Sequence, residues 1–414
     1  MANKCIHGIK IPNSLERWCY HSMKRKLLSF SPPDISGKEI QNVVKVLKSG
    51  WITTGPKAAR FENKITEYCG AAHAVALGSA TAGLELILKV FRIGGTDQVI
   101  TTPYTYAATA NIILHRGIKP TFVDVKKGSF FMDEERLHDA ITPQTRAIIT
   151  VDFGGVPLNY DAVKQVVKAK NREDILLISD SAHSFGAAYQ GKKVGGQLHF
   201  HVFSFHAVKN LVTAEGGAIT FADNHLFGKE DLVREFKVTA LHGQSKDALA
   251  KMKAGAWKYD IIVDGFKCNM PDTLAAIGLA QLERYDMMLQ KRKRIFEIYS
   301  QSLSSKEWAI LPFQTENGTE TSYHLYPLRI RGMSETARDR VIQKMADNGI
   351  AANVHFIPLP MFTLYKNLGY SIQDYPNAYN QYANEITLPL YSKLTPKDAG
   401  YIAKQLIQCV EREL

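Results

Sequence analysis

Two residues with complementary chemistry, an acid and an amine, follow strand-like segments of this 414-residue chain. Asp180 follows the apolar run 175–179, which is short enough to be a buried strand of a parallel sheet. Lys209 follows a second such run, 201–205, and precedes the Glu-Gly-Gly turn at 215–217. Because ligands collect beyond the carboxyl ends of parallel strands, we expect both side chains to face one crevice.

This pair of side chains has a specific chemical use. Pyridoxal phosphate needs a lysine amine for its Schiff base and an acidic partner for its pyridine nitrogen, because a protonated ring stabilises negative charge at the adjacent carbon. Asp180 and Lys209 can supply both groups. Each residue alone has an ordinary explanation, since a carboxylate after a strand often caps a loop or helix and a single lysine is usually solvated. Only the combination of the two indicates the cofactor.

Three motifs around these residues are similar to those of a known enzyme family. The order D-S-A-H at 180–183, S-F-H-A-V-K-N at 204–210 and A-E-G-G at 214–217 resembles the DegT/StrS group of nucleotide-sugar aminotransferases. The resemblance runs from about Ser29 to the C-terminus. It implies an α/β fold of type I, with a large domain built on a mostly parallel seven-stranded sheet and a smaller C-terminal α/β domain.

The resemblance also implies roles for the residues of these motifs. In that family the lysine carries pyridoxal 5'-phosphate as a Schiff base, the aspartate pairs with the pyridine nitrogen, and the histidine stacks on the ring. These positions are Lys209, Asp180 and His183. Some relatives replace the lysine by histidine and are dehydratases, so Lys209 favours a transaminase.

A turn of small residues at 78–83 lies between a short strand, 74–77, and an apolar helix, 84–90. Free backbone N–H groups and the positive end of the helix dipole make such a turn an anion site, which suits the phosphate of the cofactor. Serine and threonine also cap helices for purely structural reasons. The S-A-T-A-G segment particularly resembles members of the family that aminate a 4-keto-arabinose nucleotide.

Further contacts are expected from the resemblance alone, with a structural role as the alternative at each position. The cofactor phosphate is expected on Ser79, Ala80, Thr81 and Ser204, with Tyr106 against one face of the cofactor. Asn269, in a G-x-x-x-N-x-x-D element, is expected to reach the phosphate of the neighbouring subunit, which implies a homodimer. Substrate contacts are expected from Thr54, Tyr323, His324 and His355.

Other binding functions have less support in the sequence. His199, His201 and His206 have no carboxylate or cysteine nearby to complete a metal site, so we expect no metal. The five cysteines are odd in number and lack C-x-x-C spacing, which predicts free thiols. The net charge is +11, and the basic residues are scattered along the chain. We therefore expect a solvated basic surface and no nucleic-acid partner.

The predicted elements alternate between strand and helix, which is typical of a doubly wound sheet. Seven strands are predicted at 74–77, 98–101, 121–125, 147–151, 175–179, 201–205 and 218–221. We expect a flexible arm or a translation-start artefact at 1–26, a large cofactor-binding domain at 27–271, and a linking helix with a small domain at 272–414. In the last part we predict one long helix at 272–303 and strands at 326–330 and 353–356.

The function predicted from this sequence is transfer of an amino group from glutamate to a keto nucleotide-sugar, with carbon 4 favoured over carbon 3. A dehydratase and a regulatory protein that binds the cofactor without turnover are the alternatives. No apolar run approaches the roughly 20 residues of a membrane span, and the N-terminus lacks the apolar centre of a signal peptide. We therefore expect no membrane partner and a cytoplasmic location.

Overall fold

A computed structural model describes residues 27–246, 257–316 and 318–414. The extension predicted at 1–26, with Cys5 and Cys19, lies outside these residues. The strands of the described chain are β1 His73–Leu77, β2 Gln98–Thr101, β3 Thr121–Phe122, β4 Thr145–Val151, β5 Leu176–Asp180, β6 Ala188–Tyr189, β7 Lys192–Lys193, β8 Phe200–Ser204, β9 Gly217–Phe221, β10 Ala309–Ile310, β11 Thr315–Glu316, β12 Thr319–Glu320, β13 Tyr326–Ile330 and β14 Glu385–Leu388.

The helices alternate with these strands in the first half of the chain and dominate the second half. They are α1 Gly37–Ser49, α2 Pro56–Cys69, α3 Ala80–Val90, α4 Ala107–His115, α5 Glu134–Ala140, α6 Tyr160–Ala169, α7 Leu232–Thr239, α8 Asp272–Leu282, α9 Tyr285–Leu303, α10 Glu335–Asp347, α11 Thr363–Asn367, α12 Pro376–Ala383 and α13 Pro396–Val410.

The central sheet has seven strands in the order β1-β9-β8-β5-β4-β2-β3. Strand β9 is antiparallel to both of its neighbours, and the remaining pairs are parallel. Successive residues of β4 point into different hydrophobic clusters, with Ile148 on one face and Ile149 on the other. The predicted α/β fold with a mostly parallel seven-stranded sheet is confirmed, and helices cover both of its faces.

A smaller antiparallel sheet, in the order β10-β13-β14, lies in the C-terminal part of the chain. Its core residues, such as Leu328 and Ile386, pack with residues of α9, α10 and α13. The predicted strand 353–356 does not form, because only Asn353 pairs with Thr387 as an isolated bridge. The domain boundary between 271 and 272 stays a prediction.

The long helix predicted at 272–303 is wrong, because the chain forms two helices, α8 and α9. Arg284, between them, has a φ of −123°. Its guanidinium forms ion pairs with Asp34 and Glu39, which lie before and within α1. These partners are distant in sequence, so no local pattern marks the break. The spacing S-G-K-E at 36–39 predicts a capping box at the start of α1, and the side chains of Ser36 and Glu39 form it.

Within the described ranges, no helix is long and apolar enough to cross a membrane. The same ranges contain no cluster of three histidine, cysteine or acidic side chains that can hold a metal ion. Cys69, Cys268 and Cys409 are free thiols, as the sequence predicts.

A buried carboxylate joins α2 to α8 beside the carboxyl edge of the central sheet. Asp272 is almost fully buried, and its oxygens accept hydrogen bonds from the backbone N–H groups of Gly55 (2.8 Å), Lys57 (3.1 Å) and Ala58 (2.9 Å). These N–H groups lie at the start of α2, where Gly55 offers no side-chain cap. Asp272 therefore caps a helix to which it does not belong.

We predict that Asp272→Ala lowers the free energy of unfolding by about 2 kcal/mol, because three N–H donors lose a charged acceptor. Urea denaturation followed by circular dichroism measures this change. The control is Asp139→Asn, whose carboxylate is 85% exposed beside His138, and for which we expect a change of only a few tenths of a kcal/mol. Equal effects for the two variants would contradict the capping role.

Candidate cofactor site

A cavity of about 530 Å³ opens at the carboxyl edge of the parallel strands. Strands β4, β5 and β8 end at this edge, and the start of α3 also borders it. Most of the predicted site residues line the cavity: Ser79, Ala80, Thr81, Tyr106, Asp180, His183, Ser204, Lys209, His324 and His355. The structure therefore brings together residues that are far apart in sequence.

Asp180 lies at the end of β5 and is 7% exposed. Its Oδ2 accepts a hydrogen bond from the Thr109 hydroxyl at 2.7 Å, and its Oδ1 accepts one from the backbone N–H of Ala182 at 3.2 Å. Burial nevertheless raises the pKa of the Asp180 carboxyl, and the two hydrogen bonds and the charge of Lys209 oppose this rise only in part. A cationic partner in the cavity is therefore favourable.

Lys209 lies in the loop between β8 and β9 and is half-buried. Removal of water lowers the pKa of its amine to about 8, although the negative charge of Asp180 acts in the opposite direction. A lysine with such a pKa loses its proton far more readily than a solvated lysine does. Lys209 can therefore act as a nucleophile or as a base near neutral pH.

Asp152, which is fully buried at the end of β4, fixes the loop after β5. Its carboxylate accepts hydrogen bonds from the hydroxyls of Tyr160 (2.7 Å), Ser181 (2.8 Å) and Ser184 (2.6 Å). These bonds hold both sides of His183, so Asp152 positions the loop that carries this histidine.

The predicted anion site is the N-terminus of α3. The Ser79 hydroxyl accepts a hydrogen bond from Ala82 N–H at 3.0 Å and is therefore the helix cap. The N–H groups at Ala80 and Thr81 belong to the first turn, which has no acceptors within the helix. Ser204 lines the same cavity at the end of β8, and its hydroxyl oxygen accepts a hydrogen bond from His206 N–H at 3.4 Å.

Two histidines face each other across the cavity wall, with ring centroids 4.3 Å apart. Nδ1 of His183 accepts a hydrogen bond from Gly154 N–H at 3.3 Å, so the proton of the neutral ring lies on Nε2. Nδ1 of His324 lies 2.9 Å from the side-chain oxygen of Asn210, whose amide group donates to Ser322 O at 2.7 Å. The proton of His324 therefore lies on Nδ1. Burial is the first cause that lowers the pKa of each histidine well below its usual value.

A third histidine, His355, lines the cavity from the side of the small sheet. Its ring stacks on Phe30, with centroids 5.5 Å apart, and its backbone oxygen accepts a hydrogen bond from the Tyr104 hydroxyl at 2.7 Å. Its Nδ1 lies 3.0 Å from the hydroxyl oxygen of Thr387, and its backbone N–H donates to Glu385 at 2.9 Å. Strand β14 therefore holds both the backbone and the ring of this residue.

Three predicted residues lie outside the cavity lining. The hydroxyl of Tyr323 donates a hydrogen bond to Glu320 at 2.6 Å, and its ring is buried with the hydrophobic cluster of the small sheet. The amide of Asn269 donates to the hydroxyl of Thr54, and its oxygen accepts from Lys267. Within a single chain, Thr54, Asn269 and Tyr323 therefore do not line the cavity, and their predicted roles stay predictions.

Tyr106 lines the cavity but is 66% exposed, so it is not a core tyrosine.

The histidines considered as metal ligands have structural partners: Nδ1 of His199 accepts from Leu177 N–H at 2.9 Å, and Nε2 of His201 accepts from Leu198 N–H at 3.1 Å. Nε2 of His206 lies 3.6 Å from a carboxylate oxygen of Glu215.

Several residues of the site had no signal in the sequence. Thr109, in the first turn of α4, donates a hydrogen bond to Asp180, and the hydroxyl oxygen of Thr105 lies 2.7 Å from that of Thr109. Asn210 follows Lys209 directly, and its adjacency to the lysine is the one clue that the sequence offers. Glu385 belongs to a buried strand of the other sheet, where an acidic residue is unexpected.

The site fits pyridoxal phosphate by the chemistry of its groups. An amine with a lowered pKa, a buried carboxylate and the N-terminus of a helix border one cavity. Close packing supports this arrangement, because a Cβ on Gly217 would lie 2.4 Å from Ala80 N and 2.5 Å from Ser79 C. Only glycine lets β9 approach the start of α3 so closely.

We predict that Gly217→Ala weakens the binding of pyridoxal phosphate by at least about tenfold, because the added methyl group displaces the turn at Ser79 and Ala80. Titration of the apoprotein with the cofactor, followed by visible absorbance, measures the affinity. Gly400→Ala is the control, since a Cβ there meets no atom within 4 Å. Unchanged affinity in Gly217→Ala would show that this turn does not hold the phosphate.

Comparison with known proteins identifies the family. A model of the DegT/DnrJ/EryC1/StrS aminotransferase family matches residues 33–407. The spore coat polysaccharide biosynthesis protein SpsC of Bacillus subtilis strain 168 is 37% identical over 392 residues, which cover 94% of this chain and 98% of SpsC.

Two solved structures are similar over nearly the whole chain. The PMP-form of the putative sugar aminotransferase Spr1654 from Streptococcus pneumoniae has a TM-score of 0.90 and 43% identity, and covers 94% of this chain and 100% of its own. Helicobacter pylori PseC, an aminotransferase involved in the biosynthesis of pseudoaminic acid, has a TM-score of 0.85 and 29% identity, with coverage of 94% and 100%. The chain therefore belongs to the DegT/DnrJ/EryC1/StrS aminotransferase family and is a transaminase that depends on pyridoxal phosphate.

Proposed function

We propose that the protein transfers an amino group from glutamate to a keto nucleotide-sugar, at carbon 4, and so forms an amino sugar that is still attached to its nucleotide. The observation that carries the proposal is the presence of Lys209 in one cavity with Asp180. The relatives support a sugar substrate, since SpsC is named for polysaccharide biosynthesis and PseC for the biosynthesis of pseudoaminic acid. Carbon 4 rests on the resemblance of the S-A-T-A-G segment.

In this proposal Lys209 first holds the cofactor and then moves a proton. Its amine has a pKa of about 8, so near neutral pH it can take up a proton from the α-carbon of glutamate in the first half of the reaction and give one to the sugar carbon in the second half. A positioned acid–base group accelerates such a step by about 10² to 10⁴. The half-buried position of Lys209 keeps bulk water from competing for this proton.

Asp180 supports this chemistry from the opposite side. Pyridoxal phosphate, when bound, supplies an electron sink that stabilises negative charge on the substrate carbon. The Asp180 carboxylate would hold the ring nitrogen in its protonated form, which that sink requires. Thr109 and Ala182 fix the two carboxylate oxygens by hydrogen bonds, so the charge is in place before substrate binds.

The two alternatives have less support. A dehydratase of this family carries a histidine at the position of Lys209, and a regulatory protein has no need of a lysine amine with a lowered pKa. A transaminase and a regulatory protein also differ in a simple experiment, because only the transaminase consumes the amino donor when no sugar is present.

We predict that adding glutamate to the purified holoenzyme removes the visible absorbance of the lysine-bound cofactor and releases one 2-oxoglutarate per site, because the first half of transamination needs no sugar. Lys209→Ala should show neither change. Mass spectrometry after addition of a panel of keto nucleotide-sugars then identifies the acceptor. Glutamate that leaves the absorbance unchanged, while another amino acid abolishes it, would overturn the proposed donor.

We also propose a homodimer in which Asn269 serves the site of the partner. Helix α1 supports this proposal, because it buries Glu39 and exposes the apolar Ile40, Val44 and Leu47, with Ile40 59% exposed. A second exposed apolar group follows at Trp257, Ile261, Ile262 and Val263. Exposed apolar groups of this kind are typical of protein–protein contacts.

We predict that co-expressed Lys209→Ala and Asn269→Ala subunits recover about a quarter of wild-type activity, because half of the randomly formed dimers then contain one intact site. Each variant alone should be nearly inactive. The activity of the unfractionated co-expressed mixture measures this recovery. The mixed dimer, purified through a different tag on each subunit, should have about half of wild-type activity, because one of its two sites is intact. If Asn269 acts within its own subunit, the mixed dimer has no intact site and no activity returns.

A further inference from the structure

A buried acid, a hydroxyl and a cavity histidine form a line in the wall of the site. The hydroxyl oxygen of Thr387 lies 2.5 Å from Oε1 of Glu385 and 3.0 Å from Nδ1 of His355. Glu385 and Thr387 are both fully buried, on the same face of β14, and His355 lines the cavity. The roles assigned above to Lys209 and Asp180 do not use this line of groups.

A hydroxyl between two such groups donates to one and accepts from the other. When Glu385 is ionised, Thr387 donates to it and accepts from Nδ1–H of His355. When Glu385 carries its proton on Oε1, Thr387 accepts from the acid and donates to Nδ1, so the ring proton lies on Nε2. The protonation state of Glu385 therefore determines which nitrogen of His355 carries the proton.

The surroundings favour this exchange over a charged imidazole. Burial raises the pKa of Glu385 to about 8, although Thr387, His355 N–H and Arg338 act against this rise. Burial and the charge of Lys209 lower the pKa of His355 to about 3. Near neutral pH the proton is therefore on Glu385, and the ring is neutral.

Several charged or titratable side chains of the described chain lie near His355 and Glu385. His355 interacts electrostatically with Lys209, His183 and His324. Glu385 interacts with Arg338 and Tyr104, and it pairs with Arg329 in the register of the small sheet. Because the titratable groups that interact electrostatically with His355 are bases, a positive charge on its ring is unfavourable and a neutral route for the proton is favoured.

We propose that Glu385, Thr387 and His355 form a proton relay that makes Nε2 of His355 a second acid–base group in the cavity. Glu385 and Thr387 are positioning residues that act through the ring, and His355 is the group that meets the substrate. This proposal rests on the proposed transamination, in which a ketone oxygen leaves as water when its carbon takes the amino group.

The protons balance in this step. His355 gives the proton on Nε2 to the departing oxygen, the Thr387 proton moves to Nδ1, and the Glu385 proton moves to the Thr387 oxygen. The ring stays neutral throughout, and Glu385 is left ionised. The amino group loses two protons as it bonds the carbon: one completes the water molecule, and the other returns through Nε2 and restores the acid.

The first test uses the wild-type holoenzyme and reports the relay without any turnover. In ¹⁵N NMR of histidine-labelled protein, with His355 assigned by His355→Gln, we expect the ring proton on Nε2 below pH about 8 and on Nδ1 above it, since Glu385 ionises there. Thr387→Val should abolish this change, and Thr387→Ser should retain it. The same tautomer on both sides of that pH in the wild type would overturn the relay.

The second test measures the chemical step. In a single turnover of the aminated enzyme with 2-oxoglutarate, we expect Thr387→Val to be slower by about 10²-fold and Thr387→Ser by less than about threefold. The cofactor absorbance of both variants should match that of the wild type, which shows that the site is folded. Equal rates for the two variants would overturn the relay. If the wild type does not react with 2-oxoglutarate, the proposed donor is wrong and the NMR result alone decides the relay.

Discussion

An acid and an amine lie together in the wall of one cavity, where both are shielded from water, and this shared burial is the constraint on which the site depends. Burial raises the pKa of the Asp180 carboxyl and lowers that of the Lys209 amine to about 8. The amine therefore titrates close to the pH range in which proteins work, and the buried carboxylate favours a cationic partner. A cofactor with an aldehyde and a basic ring nitrogen satisfies both groups at once.

Such a desolvated site needs a rigid frame, because a buried charge that moves away from its partners is costly. Buried hydrogen bonds and close contacts at glycine residues provide this frame. Asp152, at the end of β4, holds the loop after β5 through the two hydroxyl groups of Ser181 and Ser184, and Gly217 lets β9 touch the start of α3. Gly155, with a φ of +98°, lets the 183 and 322 segments approach, since a Cβ there would lie 2.3 Å from the Ser322 hydroxyl.

The small sheet contributes to the chemistry of the site as well as to its shape. Its strand β14 is apolar on the face with Ile386 and Leu388, which belongs to the local hydrophobic cluster. The opposite face carries Glu385 and Thr387, which hold His355 against the cavity. One strand thus stabilises its own core and extends a hydrogen-bonded line to the site of the larger sheet.

By itself, the sequence determined the seven strands of the central sheet, the capping box of α1 and the pairing of Lys209 with Asp180, because these depend on local spacing and on the ends of parallel strands. Only the tertiary structure decided that the helix predicted at 272–303 breaks at Arg284, and that Thr109, Asn210, Glu385 and Thr387 support the site. These contacts join side chains that are distant in sequence or whose direction depends on packing. Local spacing carries no information about such contacts, so the structure was needed to find them.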